Sequence, residues 1–177
     1  MVERMNGENQ QTVDVVDAIL GNQAAERVAA LRRQKPELGA QLQRYYEAIF
    51  EPTEASATQF PLVDRCLVAI RVASHTGSAA VIEWYEKSAR AAGADEEQLE
   101  RASNPGRAWT DETVLGAAMR HADLVTLTPD QTSAADLQRL KAAGLSPAGM
   151  LSLAQTIAFV SSQLRLIAGL RALGGGS

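Results

Sequence analysis

Cysteine is almost absent from this sequence of 177 residues, in which Cys66 is the only one. A single cysteine excludes an intramolecular disulfide and agrees with a reducing cytoplasm, which is the compartment we expect. Aromatic residues are also scarce, at 5%, whereas alanine is common. Because alanine is the strongest helix former and its small side chain lets helices approach closely, the composition predicts an all-α fold.

Excess positive charge and long apolar runs are lacking as well. The net charge of −4 and the pI of about 5.2 argue against nucleic acid or an anionic membrane as a partner. No uninterrupted apolar run reaches the roughly 18 residues of a membrane-spanning helix. The polar residues 1–11 show no apolar core of a secretory signal. We therefore expect one globular domain, with 46% apolar residues to form its core.

The first third of the chain, residues 1–59, predicts a loose polar arm followed by a helical extension. Apolar spacing indicates helices from about Val13 to Leu20, from about Asn22 to Gln34, and from Pro36 to about Phe50. The residues expected on the apolar faces of the last two are Ala24, Val28, Leu31, Leu38, Leu42, Tyr45, Tyr46, Ile49 and Phe50.

Between the second and third of these helices, Arg32, Arg33 and Lys35 form a short basic patch. Cations at the C-terminal end of a helix complement its dipole, so we expect all three side chains to be solvated. A polar loop over residues 51–59 then separates the extension from the main domain, residues 60–173, which a flexible tail over residues 174–177 follows.

Two helices around a short break organise the main domain. The first begins near Pro61, with Cys66 on its apolar stripe and Asp64, Arg65 and Arg71 expected off that stripe. In the break, residues 75–78, Gly77 can take the left-handed conformation that ends a helix. Ser78 is then expected to cap the second helix, which runs to about Gly93.

The remaining helices are marked by caps and stops. Thr110 is expected to begin one helix, Ser133-x-x-Asp136 a second, and Ser146-Pro147 a last long one to about Leu173, with Gly144 as a stop before it. The last helix is more apolar than the core of a small domain requires. Its apolar residues leave open whether it belongs to the monomer core or to a subunit interface.

Two segments resemble the carboxymuconolactone decarboxylase / alkylhydroperoxidase D-like superfamily. One is RCLVAIRVASHTGSAAVIEWYEKSARAAGA, residues 65–94, and the other spans residues 115–170, where a helix ending in AAGLS precedes the long apolar helix. The resemblance implies the alkylhydroperoxidase D-like helical fold. It also implies homo-oligomers, commonly trimers or hexamers, with the last helix in both the monomer core and a subunit interface, on different faces.

Peroxidase members of that superfamily carry Cys-x-x-Cys-x-x-x-His at the break and a glutamate one helix earlier. Aligning the motif through Gly77 places Ser78 and Val81 at the two cysteines, Tyr85 at the histidine, and Cys66 at or near the glutamate. A serine cannot form the sulfenic acid intermediate and a valine cannot resolve it. The dithiol peroxidase mechanism is therefore not expected here.

Four residues remain as candidates for a pocket: Cys66, His75, Ser78 and Tyr85. Cys66 reads as a small buried hydrophobe, or else as the thiol of a one-cysteine peroxidase. Ser78 reads as a helix cap or as a pocket hydroxyl, and Tyr85 as a half-buried core residue or as a general acid. Of the neighbours of Tyr85, Glu83 is expected to face solvent and Trp84 to lie in the core or an interface.

Histidine is represented by His75 and His121 alone. His75, at the break, is the better candidate for proton chemistry, and His121 is expected to have a capped or exposed structural role. Neither has partners at the spacing of metal ligands, so we expect no metal and no cofactor. His75 and Ser78 together do not form a triad signature, because no orienting acid can be assigned.

The sequence leaves three functions open. The first is a non-catalytic, homo-oligomeric binding protein, in one version the companion of a related, cysteine-bearing subunit. The second is a small-molecule enzyme of the decarboxylase or isomerase kind, in which His75, Tyr85 and Ser78 converge on one pocket beside an arginine or backbone amides that hold a carboxylate. The third is the one-cysteine peroxidase, which requires a solvent-accessible Cys66 with a depressed pKa.

Overall fold

The computed structural model describes residues 14–175, which form α-helices and one 3-10 turn, with no strand among them. The helices are α1 (Val15–Leu20), α2 (Asn22–Arg32), α3 (Pro36–Phe50), α4 (Glu54–Ala57), α5 (Leu62–Ser74), α6 (Ala79–Ala91), α7 (Glu96–Ser103), α8 (Val114–Leu127), α9 (Ala134–Ala142) and α10 (Pro147–Leu173), and the 3-10 turn is Pro129–Gln131. The predicted all-α class is confirmed. The loose arm predicted for residues 1–11 lies outside the described residues.

Helix α5 is the centre of the fold. Helices α3, α6, α7, α8 and α10 all pack against it, and every residue from 65 to 74 is buried. Helix α6 returns along α5 after the break, where Gly77 has the predicted positive φ of 69°. The helix pair around residues 75–78 is therefore the element on which the other helices pack, as its apolar pattern predicts.

Arg65 and Arg71 are predicted to lie off the apolar stripe of α5, but this position does not expose them. Each residue is only 2% exposed. Arg65 donates hydrogen bonds to the backbone carbonyls of Phe60, Ile49 and Ser56, each at 2.7 Å. A buried guanidinium is tolerated where its donors are all satisfied. Arg65 thus fastens the end of α3 and the following loop to the central helix.

Local caps set several helix ends. Asp95 with Gln98, and Ser133 with Asp136, form reciprocal capping boxes at the starts of α7 and α9. The start predicted at Thr110 is wrong by a few residues, because α8 begins at Val114 with the Thr113 hydroxyl accepting from the Gly116 amide. Both threonines suit a cap, and the pattern alone did not choose between them.

The N-terminal extension shares the core of the main domain. On α3, Tyr46, Ile49 and Phe50 are buried, and the Phe50 ring lies 4.8 Å from the ring of Tyr85 on α6. The loop that precedes α5, predicted to be wholly irregular, contains the short helix α4. Hydrophobic contacts therefore run continuously across the boundary predicted at residues 51–59.

Three residues predicted on the apolar faces of the extension are largely exposed instead. Leu31 is 48% exposed, Leu38 50% and Tyr45 40%. Apolar spacing identifies which side of a helix is apolar, but it cannot show whether another element covers that side. Both leucines lie on an open groove.

Helix α10 spans 27 residues and packs one side against α5, α1 and α3. It is long and apolar enough to cross a bilayer by length and composition, although half of its most apolar stretch is buried within the fold. Its opposite side is exposed and carries mostly apolar or small residues: Leu151, Ala154, Ala158, Gly169 and Ala172. The helix ends at Leu173 and is followed by the cap residue Gly174, and the last two residues of the predicted tail lie outside the described residues.

Candidate functional site

Cys66 lies inside the core, with no exposed surface. Burial raises the pKa of its thiol to about 12, and the neighbouring Arg65 guanidinium only partly opposes that shift. A thiol in this state is protonated at neutral pH and has no contact with solvent. Both conditions that a one-cysteine peroxidase requires, access and a depressed pKa, are therefore unmet at Cys66.

Tyr85 is also fully buried. Its hydroxyl donates a hydrogen bond to Oε1 of Gln163 on α10 at 2.8 Å, and burial raises its pKa well above the ordinary value. The Gln163 side-chain amide nitrogen is buried and has no partner among the described residues. Tyr85 is thus a packed, hydrogen-bonded core residue, which was the simpler of its two interpretations.

Ser78 occupies the residue before α6, the predicted N-cap position, yet its side chain makes no capping hydrogen bond. Its backbone, at φ −77° and ψ 88°, holds the hydroxyl away from the geometry of a cap. Val81, at the position of the second motif cysteine, is fully buried. Glu83 is exposed, as predicted, and Trp84 is half-buried.

His75 has a partner that sequence reasoning missed. Its Nε2 lies 2.7 Å from Oδ1 of Asp123 on α8, and its side chain is 8% exposed. The same carboxylate accepts two hydrogen bonds from Arg71, from Nε at 2.6 Å and from Nη2 at 2.8 Å. An acid that orients His75 is therefore present, 48 residues away in sequence. No spacing rule connects residues so far apart, so only the packing of α5 on α8 reveals the pair.

Arg71 is fully occupied by this arrangement. Beyond Asp123, it donates to the backbone carbonyl of Asn104 at 2.5 Å and approaches that of Pro105 at 3.4 Å. It is therefore not available to hold the carboxylate of a substrate. Its contacts identify it as a fastener between α5, α8 and the turn that follows α7.

The structure does not bring the four candidates into one cavity. Cys66 and His75 are nine residues apart on α5 and its cap, which separates them by about 13 Å along the helix axis. Cys66 and Tyr85 lie in the closed core, whereas His75 and Ser78 lie near the break. The convergence of His75, Tyr85 and Ser78 that a decarboxylase-like pocket requires is not found among the described residues.

His121 is half-buried rather than exposed or capped. Its Nδ1 is buried without a partner among the described residues, and burial lowers its pKa. It borders a cavity of about 300 Å³ with Arg120, Asp136 and Arg139. Both arginines are engaged, Arg120 by the carbonyls of Trp109 and Asp111 and Arg139 by Asp136. Within residues 14–175 no group of three or more potential metal ligands is found.

A larger cavity lies elsewhere, on the N-terminal extension. It is a groove of about 850 Å³ between α2 and α3, closed at its base by α1 and α10. At that base Arg32 pairs with Asp14, at 2.6 Å, and with Asp17. The prediction that Arg32 is solvated is therefore wrong, while Arg33 and Lys35 are exposed as expected.

Neither a scan of protein-family models nor a search of curated proteins finds a match to this chain. Membership of the carboxymuconolactone decarboxylase-like superfamily consequently remains a prediction. Residues 65–94 and 115–170 carry it.

Proposed function

We propose that this chain is a non-catalytic member of the carboxymuconolactone decarboxylase-like superfamily that acts as an oligomeric binding or companion protein. One observation carries the proposal. Three of the four positions that the resemblance aligns with the peroxidase motif, those of Cys66, Val81 and Tyr85, are fully buried in the hydrophobic core. A closed core admits no peroxide, so the scaffold serves packing and assembly.

The oligomer is proposed to form through the exposed side of α10. In the isolated chain this side presents Leu151, Ala154, Ala158, Gly169 and Ala172 to solvent, and Arg165 is the charged residue on it. The same side also exposes Gln155 and Ser162, but most of its residues are small or apolar, which is typical of a surface that a partner covers. Small side chains let a second helix approach closely, and the same face on a second copy is self-complementary about a two-fold axis.

In the companion version, a related subunit that retains the cysteine pair occupies part of the assembly. The intact helix pair α5–α6, without the residues of the dithiol mechanism, suits a subunit that contributes surface rather than chemistry. Affinity purification of the full chain from its native source tests this version. Recovery of a related cysteine-bearing protein at a fixed ratio is expected, and repeated recovery of the chain alone would contradict it.

The catalytic part of the proposal is tested by hydroperoxide consumption. Wild type and Cys66→Ala are each supplied with an organic hydroperoxide and a dithiol reductant, and peroxide loss is followed. Neither protein is expected to exceed the protein-free rate. Turnover by the wild type that disappears in Cys66→Ala would overturn the proposal and make Cys66 a nucleophile.

A second candidate, decarboxylase- or isomerase-like chemistry on a small acid, would have to use His75 without the buried Tyr85, and the one observation that favours it is the orientation of His75 by Asp123. In this reading His75 moves a proton at the break. A panel of small β-keto acids and lactones is incubated with wild type and His75→Gln. Conversion that is lost in His75→Gln supports this candidate, and no conversion of any member of the panel counts against it.

A further inference from the structure

Helices α2 and α3 are joined by a turn of three residues but hardly touch each other. Helix α2 packs instead on α1 and α10, and α3 packs on α10 and α5. Two helices with so short a connection usually pack side by side as a hairpin. Here they diverge, and the groove of about 850 Å³ lies between them.

The walls of this groove are apolar and incompletely covered. Leu31 on α2 and Leu38 on α3 are about half exposed, at 48% and 50%. Three further leucines line the groove, Leu42 from α3 and Leu166 and Leu170 from α10. Leucines from three helices thus face one concave space, as in sites that bury the apolar part of a ligand.

Polar contacts at the base hold the groove open. Arg32 on α2 is fixed by Asp14 and Asp17 beside and on α1, and Gln43 Oε1 on α3 accepts a hydrogen bond from the backbone amide of Val15 at 2.8 Å. Gly39 lets α3 approach this base, because a Cβ there would lie 3.1 Å from Oδ2 of Asp14. The two walls are therefore positioned by α1, and the groove is formed before any ligand binds.

The groove is lined by four cations and three carboxylates, an excess of one positive charge: Arg32, Arg33, Lys35 and Arg44 against Asp14, Asp17 and Glu47. Arg33, Lys35 and Arg44 line it and form no ion pair with any residue of the described range 14–175. Asp14 and Asp17 share the single cation Arg32, and Glu47 accepts a hydrogen bond from the uncharged side chain of Gln43 at 2.9 Å. The groove therefore offers three cations to an anion beside its apolar surface.

We propose that this groove binds a single-chain amphiphile with an anionic head group, of the fatty carboxylate class. The apolar chain lies against the five leucines, and the carboxylate lies near Arg33, Lys35 and Arg44. The volume falls within the range of about 300–1,000 Å³ that is typical of small-molecule sites. The site goes beyond the proposed function, because it is on the N-terminal extension and shares no residue with the positions of the redox motif.

The probe is dodecanoate below its micelle concentration, titrated calorimetrically into the full chain. One dodecanoate is expected per chain, and dodecyltrimethylammonium, with the opposite charge, is expected to bind much more weakly. Leu38→Glu is expected to weaken dodecanoate binding about tenfold, because it replaces apolar contact with a carboxylate. Leu137→Glu is the matched control, since Leu137 is 49% exposed and lies on α9, outside the groove.

The charge contribution is tested separately. The double variant Arg33→Gln/Lys35→Gln is expected to lower the affinity for dodecanoate about fivefold, a loss that shrinks at high salt. Lys87→Gln/Lys141→Gln, which removes two exposed cations elsewhere, is expected to leave it unchanged. Circular dichroism of each variant verifies that the helices are intact.

Three results would overturn the inference: no dodecanoate binding, equal binding of both detergents, or equal effects of Leu38→Glu and Leu137→Glu. If Leu38→Glu abolishes self-association while the wild type ignores dodecanoate, the groove is an interface between two copies instead. Because the hydroperoxide assay does not involve the groove, failure here leaves the proposed function standing. The converse also holds.

Discussion

Arg71 donates two hydrogen bonds to the carboxylate of Asp123, from Nε to Oδ1 at 2.6 Å and from Nη2 to Oδ2 at 2.8 Å. The two residues are 52 positions apart and join the last turn of α5 to α8. His75 approaches the same Oδ1 at 2.7 Å. One buried arginine therefore positions both the partner helix and the histidine at the break, although no charge pattern in the sequence pairs them.

Removal of Arg71 is expected to destabilise the fold strongly. Arg71→Ala leaves the Asp123 carboxylate without its main partner and the Asn104 carbonyl without a donor, which typically costs about 3–5 kcal/mol. The free energy of unfolding, measured in urea, checks this. Lys87→Ala is the control, because Lys87 is exposed and is expected to change stability by less than about 0.5 kcal/mol. A loss below about 1 kcal/mol for Arg71→Ala would contradict the role assigned to it.

Asp64 is expected to make the free energy of unfolding depend on pH. Burial raises the pKa of Asp64 from 3.8 to about 6. The folded state therefore holds this proton more tightly than the unfolded state, so stability is greatest below about pH 4 for this group and falls as the pH rises through about 6.

Asp64→Asn removes that dependence. The variant is expected to be more stable than wild type at pH 7.5 by about 1–2 kcal/mol, because it removes a charge that is partly desolvated in the folded state. Loss of the favourable interaction between the carboxylate and the N-terminus of α5 keeps this increase in stability small. Urea unfolding at pH 5 and 7.5 measures the difference, and Asp130→Asn, at an exposed position, should show none. Equal stability of Asp64→Asn and wild type at both pH values would show that Asp64 is not desolvated.

Substitutions of Tyr85 and Gln163 are expected to have non-additive effects on the free energy of unfolding. Tyr85→Phe leaves the buried Gln163 amide without its remaining partner and is expected to cost about 1–3 kcal/mol. Replacing both, as Tyr85→Phe/Gln163→Leu, removes both polar groups and is expected to restore most of that stability. A double-mutant cycle in urea measures the coupling. Simple additivity of the two single effects would mean that this hydrogen bond is not formed.

The exposed side of α10 predicts the effect of a charge on assembly. Ala158→Arg places a long cation at the middle of that side and is expected to dissociate the oligomer without unfolding the chain. Sedimentation velocity reports the change. Ala91→Arg, at an exposed alanine in the last turn of α6, should sediment like wild type. If both variants sediment like wild type, α10 is not the interface.

Local sequence determined where many of the helices begin and end. The Ser133 capping box and the glycine at position 77 act through groups within four residues, and the structure has both of them where the pattern predicts them. The all-α class follows from the same short-range preferences. Cys66 and Tyr85 lie in the core, as their simpler interpretations predict, because the apolar side of a helix is the side that is buried against other helices.

Tertiary structure alone decided which polar groups were satisfied and which apolar groups stayed uncovered. Arg71 can be buried because Asp123 and the distant carbonyl of Asn104 accept its hydrogen bonds. The apolar spacing along α5 predicts neither contact. Leu31 and Leu38 are exposed because α2 and α3 diverge, although their spacing is that of buried residues. Apolar spacing identifies which face of a helix is apolar. Whether that face is buried depends on which other parts of the chain pack against it, and only the tertiary structure determines that.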